Sequence, residues 1–246
     1  NTQEVTVDSS TYTAWDVSSV TDMSYMFFNA SVFDQPIQYW NIGTVNSFND
    51  MFTSATAMHT QYKDEVGFDN TPSISFFNKT AITQANIQTA VNAWISDSTT
   101  ATGTYGNISN WDTSAVTDMK NLFAGAQTFN EDIGNWDVSS VTDMNNMFSQ
   151  ASLFNQDIGN WDVSSVTDMN NMFQNAQAFD QPINTQKVTV NGSTYTAWNV
   201  SKVTDMNSMF SQSGTFAAVF NQPIGNWDVS SVTDMNNMFQ NAQAFD

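Results

Sequence analysis

Four aspartates occupy one position of a repeat that recurs every 25 residues in part of the chain. Asp112, Asp137 and Asp162 follow one another at that spacing, and Asp228 stands in the same local sequence. If the repeats stack like neighbouring strands, about 4.8 Å apart, two adjacent carboxylates repel each other by about 1 kcal/mol in water. A divalent cation would relieve this repulsion, and calcium prefers oxygen ligands. The spacing therefore predicts a calcium ladder formed by these four side chains.

The same aspartates have a second interpretation as turn formers. A serine lies two residues after each of them, and an aspartate in that place can accept a hydrogen bond from the serine N–H, which makes an Asx turn. Asn41 and Asn199 replace the aspartate in two other repeats. An amide keeps such a turn but weakens a metal site. Calcium is thus the one cofactor that the sequence suggests, and no cofactor is required. The Asp-to-Asn changes favour the turn interpretation over the calcium ladder.

Two further sets of polar residues recur in register. We expect the aspartate of each Thr-Asp-Met tripeptide to lie in the first turn of a helix, where negative charge is favoured. We expect the repeated Asn and Gln residues to form inward amide ladders that satisfy the loop backbone. The aspartate set is Asp22, Asp118, Asp143, Asp168, Asp205 and Asp234, and the amide set includes Asn130, Asn155 and Asn221 with Gln156, Gln181 and Gln222.

Composition excludes several classes of protein. The chain has 24 acidic and 5 basic residues, for a net charge of −19, so it lacks the clustered cations that nucleic-acid binding requires. It has no cysteine and one histidine, which excludes a zinc–thiolate site and a histidine-rich metal site. No apolar run approaches the roughly 18 residues that a membrane-spanning helix needs. Near-identical repeats also argue against an enzyme, because an active site needs one repeat to differ from its neighbours.

The unit that must position these residues is clearest over 136–160, WDVSSVTDMNNMFSQASLFNQDIGN. Trp136 and Val138 alternate with a polar residue, as in a short half-buried strand. Met144 and Phe148 then follow at a spacing typical of one helix face. One unit cannot bury its apolar face alone, so the units must stack. We predict an α/β solenoid, a leucine-rich-repeat-like stack of 25-residue strand-turn-helix coils, with a pure β-helix as the alternative.

This unit carries a resemblance to a known family. The pattern W-D-V-S-S-V-T-D-M-x-x-M-F-x-x-A-x-x-F-N-Q-D-I-G-N resembles the repeat, about 25 residues long, of the BspA-like leucine-rich-repeat group of bacterial surface proteins and lipoproteins. It covers about residues 10–60 and 107–246. The resemblance implies a secreted or surface-anchored protein concerned with adhesion or matrix. The family offers no catalytic residues to carry over.

Breaks in the period divide the chain. Residues 184–197 contain Asn191-Gly192 between two β-prone runs, which predicts an inserted hairpin, and residues 1–14 repeat it. Within 57–106 the repeat is absent, and apolar spacing predicts an amphipathic helix over about 80–97 that caps or spaces the repeats. We therefore predict 1–56 as the end of a first array, made of a hairpin and two coils. Residues 57–106 are then a spacer, and 107–246 are a second array of five coils interrupted by the hairpin.

These patterns predict a non-enzymatic extracellular or cell-surface protein, structural or adhesive, that forms a stiff rod, surface layer or filament by stacking its coils. The chain begins and ends at nearly equivalent positions of the repeat. The expected partners are therefore further copies of the chain stacked end to end, or further repeats of a longer chain. The alternative function is a ligand-binding module that recognises a host protein, an extracellular matrix or a glycan through the exposed strand face. Recognition predicts divergent residues on that face, so the almost unchanged Asp-x-Ser sequence favours the structural function.

Overall fold

The computed structural model divides the chain into two compact units. It describes residues 3–7, 10–14, 17, 19–40, 42–77, 79–190, 192–213 and 219–246. The first unit comprises Asn1–Ala81 and Asp97–Trp111, and the second comprises Ile82–Ser96 and Asp112–Asp246. The boundaries expected from the sequence at 57 and 106 stay a prediction.

In the ranges that the structure describes, two hairpins and three helices supply most of the regular structure. Strand β1 (Gln3–Val7) pairs antiparallel with β2 (Ser10–Ala14), and β3 (Gln186–Val190) pairs antiparallel with β4 (Ser193–Ala197). The helices are α1 (Thr56–Gln61), α2 (Ile87–Ser96) and α3 (Ser98–Tyr105), and short 3-10 turns lie at Ile74–Phe76 and Ile108–Asn110. The hairpin expected within 184–197 is thus present, although Asn191 of its turn lies outside the described residues. In the described part of the chain, no helix has the length and apolar character needed to cross a membrane.

The helix expected over 80–97 is shorter, because α2 covers only Ile87–Ser96. Asp97 ends this segment and begins α3, since its side chain accepts hydrogen bonds from the N–H groups of Thr99 and Thr100. An aspartate that caps one helix has an extended backbone, and Asp97 has φ −157° and ψ 93°. Asp97 therefore separates α2 from α3.

The repeats are not strand-turn-helix coils, so the predicted leucine-rich-repeat-like solenoid is wrong. Residues 136–160 form neither an α-helix nor a continuous strand. Asp143 makes only single parallel bridges, to Asp118 and to Asp168 of the adjoining repeats. The N–H groups of Met147, Ser149 and Ala151 bond to carbonyls three residues back, at 3.1, 3.1 and 3.0 Å, whereas an α-helix bonds four residues back.

Left-handed residues explain why the expected helix does not form. Asn146 and Gln150 have φ of 55° and 62°, a conformation that a right-handed helix cannot contain. Gly125 holds the position equivalent to Gln150 in the preceding repeat, with φ 74°. A series of tight turns also places every third or fourth residue on one side. The apolar spacing that suggests a helix is therefore produced here by consecutive turns.

Aromatic rings form two columns through the core of the second unit. Neighbouring ring centroids lie 5.4–5.6 Å apart in the first column and 5.9–6.0 Å apart in the second, with nearly parallel planes. The first column is Phe123, Phe148, Phe173, Phe210 and Phe239, and the second is Phe129, Phe154, Phe179, Phe220 and Phe245. The indole Nε1 of Trp198 donates to the carbonyl of Ile158 at 2.8 Å, and Trp227 donates to Ile183 at 2.9 Å. Each repeat is thus joined to others by packing and by buried hydrogen bonds.

A glycine is needed where the return path of one repeat approaches the next. A Cβ atom built on Gly159 would lie 2.7 Å from the carbonyl oxygen of Pro182, and one on Gly134 would lie 2.5 Å from that of Asp157. Both distances are shorter than van der Waals contact, so a larger residue would push the repeats apart. Gly225 stands at the same place in its repeat and has no atom within 4 Å of the added Cβ.

Helix α2 and the turn before it cover the first repeat of the second unit. The side-chain oxygen of Gln84 accepts hydrogen bonds from the N–H groups of Thr117 and Asp118, both at 2.9 Å, and its amide donates to the carbonyl of Asp118 at 3.1 Å. Gln88 donates to the carbonyl of Leu122 at 3.2 Å. In later repeats a neighbouring backbone supplies equivalent partners, so these glutamines replace a missing repeat.

Candidate functional site

The first aspartate set lies in Asx turns. The carboxylates of Asp112, Asp137, Asp162 and Asp228 accept hydrogen bonds from the serine N–H two residues on, at 3.1, 2.9, 3.0 and 3.1 Å. Hydrogen bonds from the hydroxyl and N–H of Ser230 hold the pKa of Asp228 below its ordinary value. These contacts are those that the turn interpretation requires, and they start the bend that leads into the next tight turn.

The same four carboxylates are the predicted calcium ligands. In the described ranges of the chain, no group of three or more acidic, histidine or cysteine residues lies close enough to hold a metal ion. The calcium ladder stays a prediction. Calcium titration of the native chain against the double variant Asp137→Asn/Asp162→Asn tests it, because the amides keep both turns.

Five of the six aspartates of the second set lie in one column, whereas Asp22 is bridged to Ser47. Parallel bridges join Asp118 to Asp143, Asp143 to Asp168, Asp168 to Asp205, and Asp205 to Asp234. Each of these carboxylates accepts a hydrogen bond from the N–H two residues on, at 2.8 Å in every case. The expected role at a helix N-terminus is wrong, since turns follow these aspartates. They form a second series of Asx turns instead.

Charges interact within this second column. Burial raises the pKa of Asp143 above its ordinary value, and the like charges of Asp168 and Asp118 raise it further, while the hydrogen bond from the N–H of Asn145 opposes the shift. That these carboxylates interact was not predicted from the sequence, because the aspartates were assigned to separate helices. Their common position in the repeat was the signal that they would lie side by side.

A column of threonines runs beside these aspartates. Thr142, Thr167, Thr204 and Thr233 each donate their backbone N–H to the carbonyl of the corresponding threonine in the preceding repeat, at 2.8–2.9 Å. The hydroxyl of each donates to that same carbonyl at 3.1–3.2 Å. The threonine hydroxyls therefore add a second hydrogen bond between neighbouring repeats, although the side chains are exposed.

The repeated amides connect the return paths. Asn130 accepts from the N–H of Asn155 at 2.8 Å, and Asn155 accepts from the N–H of Asp180 at 3.0 Å. Gln156 donates to the carbonyl of Asn130 at 2.8 Å, and Gln181 donates to that of Asn155 at 3.0 Å. The expected amide ladder is confirmed in its hydrogen bonds. Its inward placement is wrong, because Asn130 and Asn221 are exposed and the other four amides are half-buried.

Comparison with known protein families gives a match that covers most of the chain. The family model described as "Mycoplasma protein of unknown function, DUF285" matches residues 3–94, 89–196 and 186–246. No curated protein and no solved structure matches the chain.

Proposed function

This chain is a member of the DUF285 family, and we propose that it is a non-enzymatic structural repeat protein working on the outer surface of its source cell. Family membership supports a repeat protein of unknown function. The more specific proposal comes from the contacts among the repeats and from the resemblance of their sequence to bacterial surface repeats.

The observation that carries the proposal is the unbroken set of contacts through the second unit. Both phenylalanine columns and the threonine column continue from one repeat to the next, from Thr117 to Phe245. In such arrays, stability is the sum of repeat and nearest-neighbour contributions. Burying one large apolar side chain is worth about 1.5–3 kcal/mol, and each inner repeat buries several. Added repeats therefore extend the stack and stabilise it, which suits a stiff structural element.

The exposed positions also suit a structural role better than catalysis or recognition. Thr-Asp-Met and Asp-x-Ser recur with little change, and their polar groups take part in contacts between or within the repeats. An active site needs one place with distinct acid, base or nucleophile side chains. The same uniformity disfavours the alternative, a module for a host protein, matrix or glycan.

The acidic surface supplies a second property of the proposed element. A net charge of −19 keeps such chains apart in solution, and divalent cations could draw them together through carboxylates. We propose that the partners are further copies of the same repeat, in this chain's own full-length protein or in neighbouring molecules.

Antibody labelling tests the proposed location and role. Gold-labelled antibodies raised against residues 107–246 are applied to intact cells of the source and to permeabilised cells. The proposal predicts dense label on intact cells, arranged on extended material that leaves the surface. Label that appears only after permeabilisation would contradict the surface location.

A further inference from the structure

A buried pair of opposite charges lies in the first unit. The Nζ atom of Lys79 is 4.0 Å from Oε1 of Glu65, and each side chain is only 1% exposed. Elsewhere in the described residues, Lys63 and Asp64 make a pair at 3.9 Å, but those side chains are 71% and 76% exposed. The two pairs have nearly the same separation and differ in solvation.

Burial favours the neutral form of each of the two groups. Burial raises the pKa of Glu65 and lowers the pKa of Lys79, and in each residue this outweighs the attraction between the opposite charges. Transfer of one proton from the ammonium to the carboxylate removes both charges. In a dry site that neutral pair, an amine and a carboxylic acid, avoids the high cost of desolvating two ions.

The surrounding hydrogen bonds orient the amine. Nζ of Lys79 donates to the carbonyl of Thr102 at 3.0 Å and lies 3.4 Å from that of Gly103. A neutral amine has two N–H groups, and these two carbonyls accept both of them. The nitrogen lone pair is then left on the side where Glu65 lies.

The carboxyl group is held in an equally unsymmetrical way. Oε2 of Glu65 accepts from the backbone N–H of Asn107 at 2.8 Å and from the amide of Asn110 at 3.5 Å. Among the described residues, Oε1 has no hydrogen-bond partner. A Cβ atom on Gly106 would lie 3.2 Å from Oε1, so the backbone closes over this oxygen. Oε2 is therefore stabilised by hydrogen-bond donors, whereas Oε1 is buried without one.

We propose that Lys79 and Glu65 condense into an intramolecular amide cross-link. The neutral amine attacks Cδ of the protonated carboxyl group, and Oε2 takes the negative charge beside the N–H of Asn107. A proton passes from the nitrogen to the hydroxyl on Oε1, which leaves as water. The products are one amide and one water molecule, and no other reactant is needed.

Placement and dryness favour this condensation. Reacting groups fixed inside one molecule reach effective concentrations of ~10⁵–10⁸ M, far above those of free amines and acids. A donor aimed at the developing oxyanion lowers the barrier, and Asn107 supplies one. The near-attack distance is about 3–3.5 Å, and Nζ lies 4.0 Å from Oε1, so the reaction requires the lysine side chain to rotate toward Cδ. The exposed Lys63–Asp64 pair lacks both advantages.

The mass of the intact chain tests the proposal. A cross-linked chain is lighter than its sequence mass by one water molecule, and proteolysis yields a branched peptide that joins the segments around residues 65 and 79. Chains from the source and chains expressed elsewhere are both measured, because the reaction needs only this protein. An unmodified mass with linear peptides covering both residues would overturn the proposal.

Two controls separate the cross-link from other losses of water. Lys79→Arg keeps the positive charge but cannot form this amide, so its mass must equal its sequence mass. Peptides containing Lys63 and Asp64 must be linear in every sample. If Lys79→Arg shows the same mass loss, the water comes from elsewhere and the cross-link is refuted. The outcome does not depend on the proposed surface function.

Discussion

Replacing Gln150 with glycine tests whether the repeats are built from turns. Gln150 is exposed and has φ 62°, a left-handed conformation that costs a residue with a Cβ atom about 1–2 kcal/mol. Glycine avoids this cost but loses about 0.5–1 kcal/mol more conformational entropy on folding. We therefore expect Gln150→Gly to raise the free energy of unfolding by about 0.5–1 kcal/mol.

The measurement is denaturant unfolding followed by circular dichroism, supported by thermal unfolding. For a chain of this size, the expected gain moves Tm upward by about 1–4 °C. Gly125→Gln is the reciprocal control. No atom lies within 4 Å of a Cβ at Gly125, so that variant should lose stability through backbone conformation alone.

The sign of the effect decides between two structures. In the interior of a helix, glycine is unfavourable by about 1 kcal/mol. A fall in stability for Gln150→Gly would therefore refute the left-handed turn and restore the helical interpretation of the repeat.

Three further predictions follow from packing and charge. Gly159→Ala should lower the free energy of unfolding by about 1–3 kcal/mol through overpacking against the next repeat. Gly225→Ala in this chain should change it by less than about 0.5 kcal/mol. Equal losses of the two variants in urea unfolding would contradict the close approach at Gly159. Phe148→Ala should lower the free energy of unfolding by about 3–5 kcal/mol, whereas Leu153→Ala, at a residue 55% exposed, should lower it little. Both variants are measured by urea unfolding. A small loss for Phe148→Ala would argue against the ring column. Asp143→Asn should stabilise the chain at pH 7, because burial raises the pKa of Asp143 and its charge disfavours the folded state. As pH falls through that raised pKa toward the ordinary value of 3.8, the native chain takes up a proton at Asp143 on folding. The difference in stability between the variant and the native chain should therefore shrink. A stabilisation by Asp143→Asn that persists in acid would contradict this cause.

The buried face of the repeat could be predicted from the sequence. The period alone assigns Trp136, Phe148 and Phe154 to the interior, and all three are buried. Side-chain hydrophobicity repeats with the unit, so the positions that face the core need no knowledge of the backbone. The inserted hairpin could be predicted for a similar reason, since Asn-Gly between β-prone runs has a local conformational preference.

The backbone that presents this face could not be predicted from apolar spacing. Helices and consecutive turns both bring every third or fourth residue to one side. The distinguishing signal was Asn146, because asparagine tolerates the left-handed conformation better than other residues with a Cβ atom. Stacking of whole repeats then favours turns over a helix, because the turns direct backbone N–H groups to carbonyls of the next repeat.

The sequence carries no motif that predicts the sites assembled from distant parts of the chain. Glu65 and Lys79 lie outside the repeats, and no motif connects them with Thr102 or Asn107. Only the fold of the first unit brings these residues into one dry cluster. The aspartate column at Asp143 was different, because its common position in the repeat predicts side-by-side placement once the units are known to stack.

A length series tests most directly whether added repeats extend a stiff stack. One to four extra copies of residues 136–160 are inserted between Asn160 and Trp161, and the longest dimension of each chain is measured by small-angle X-ray scattering. The account predicts growth of about 4.8 Å for each added copy, the spacing of neighbouring strands, with no change in cross-section. A constant longest dimension, or growth in all directions, would contradict the account.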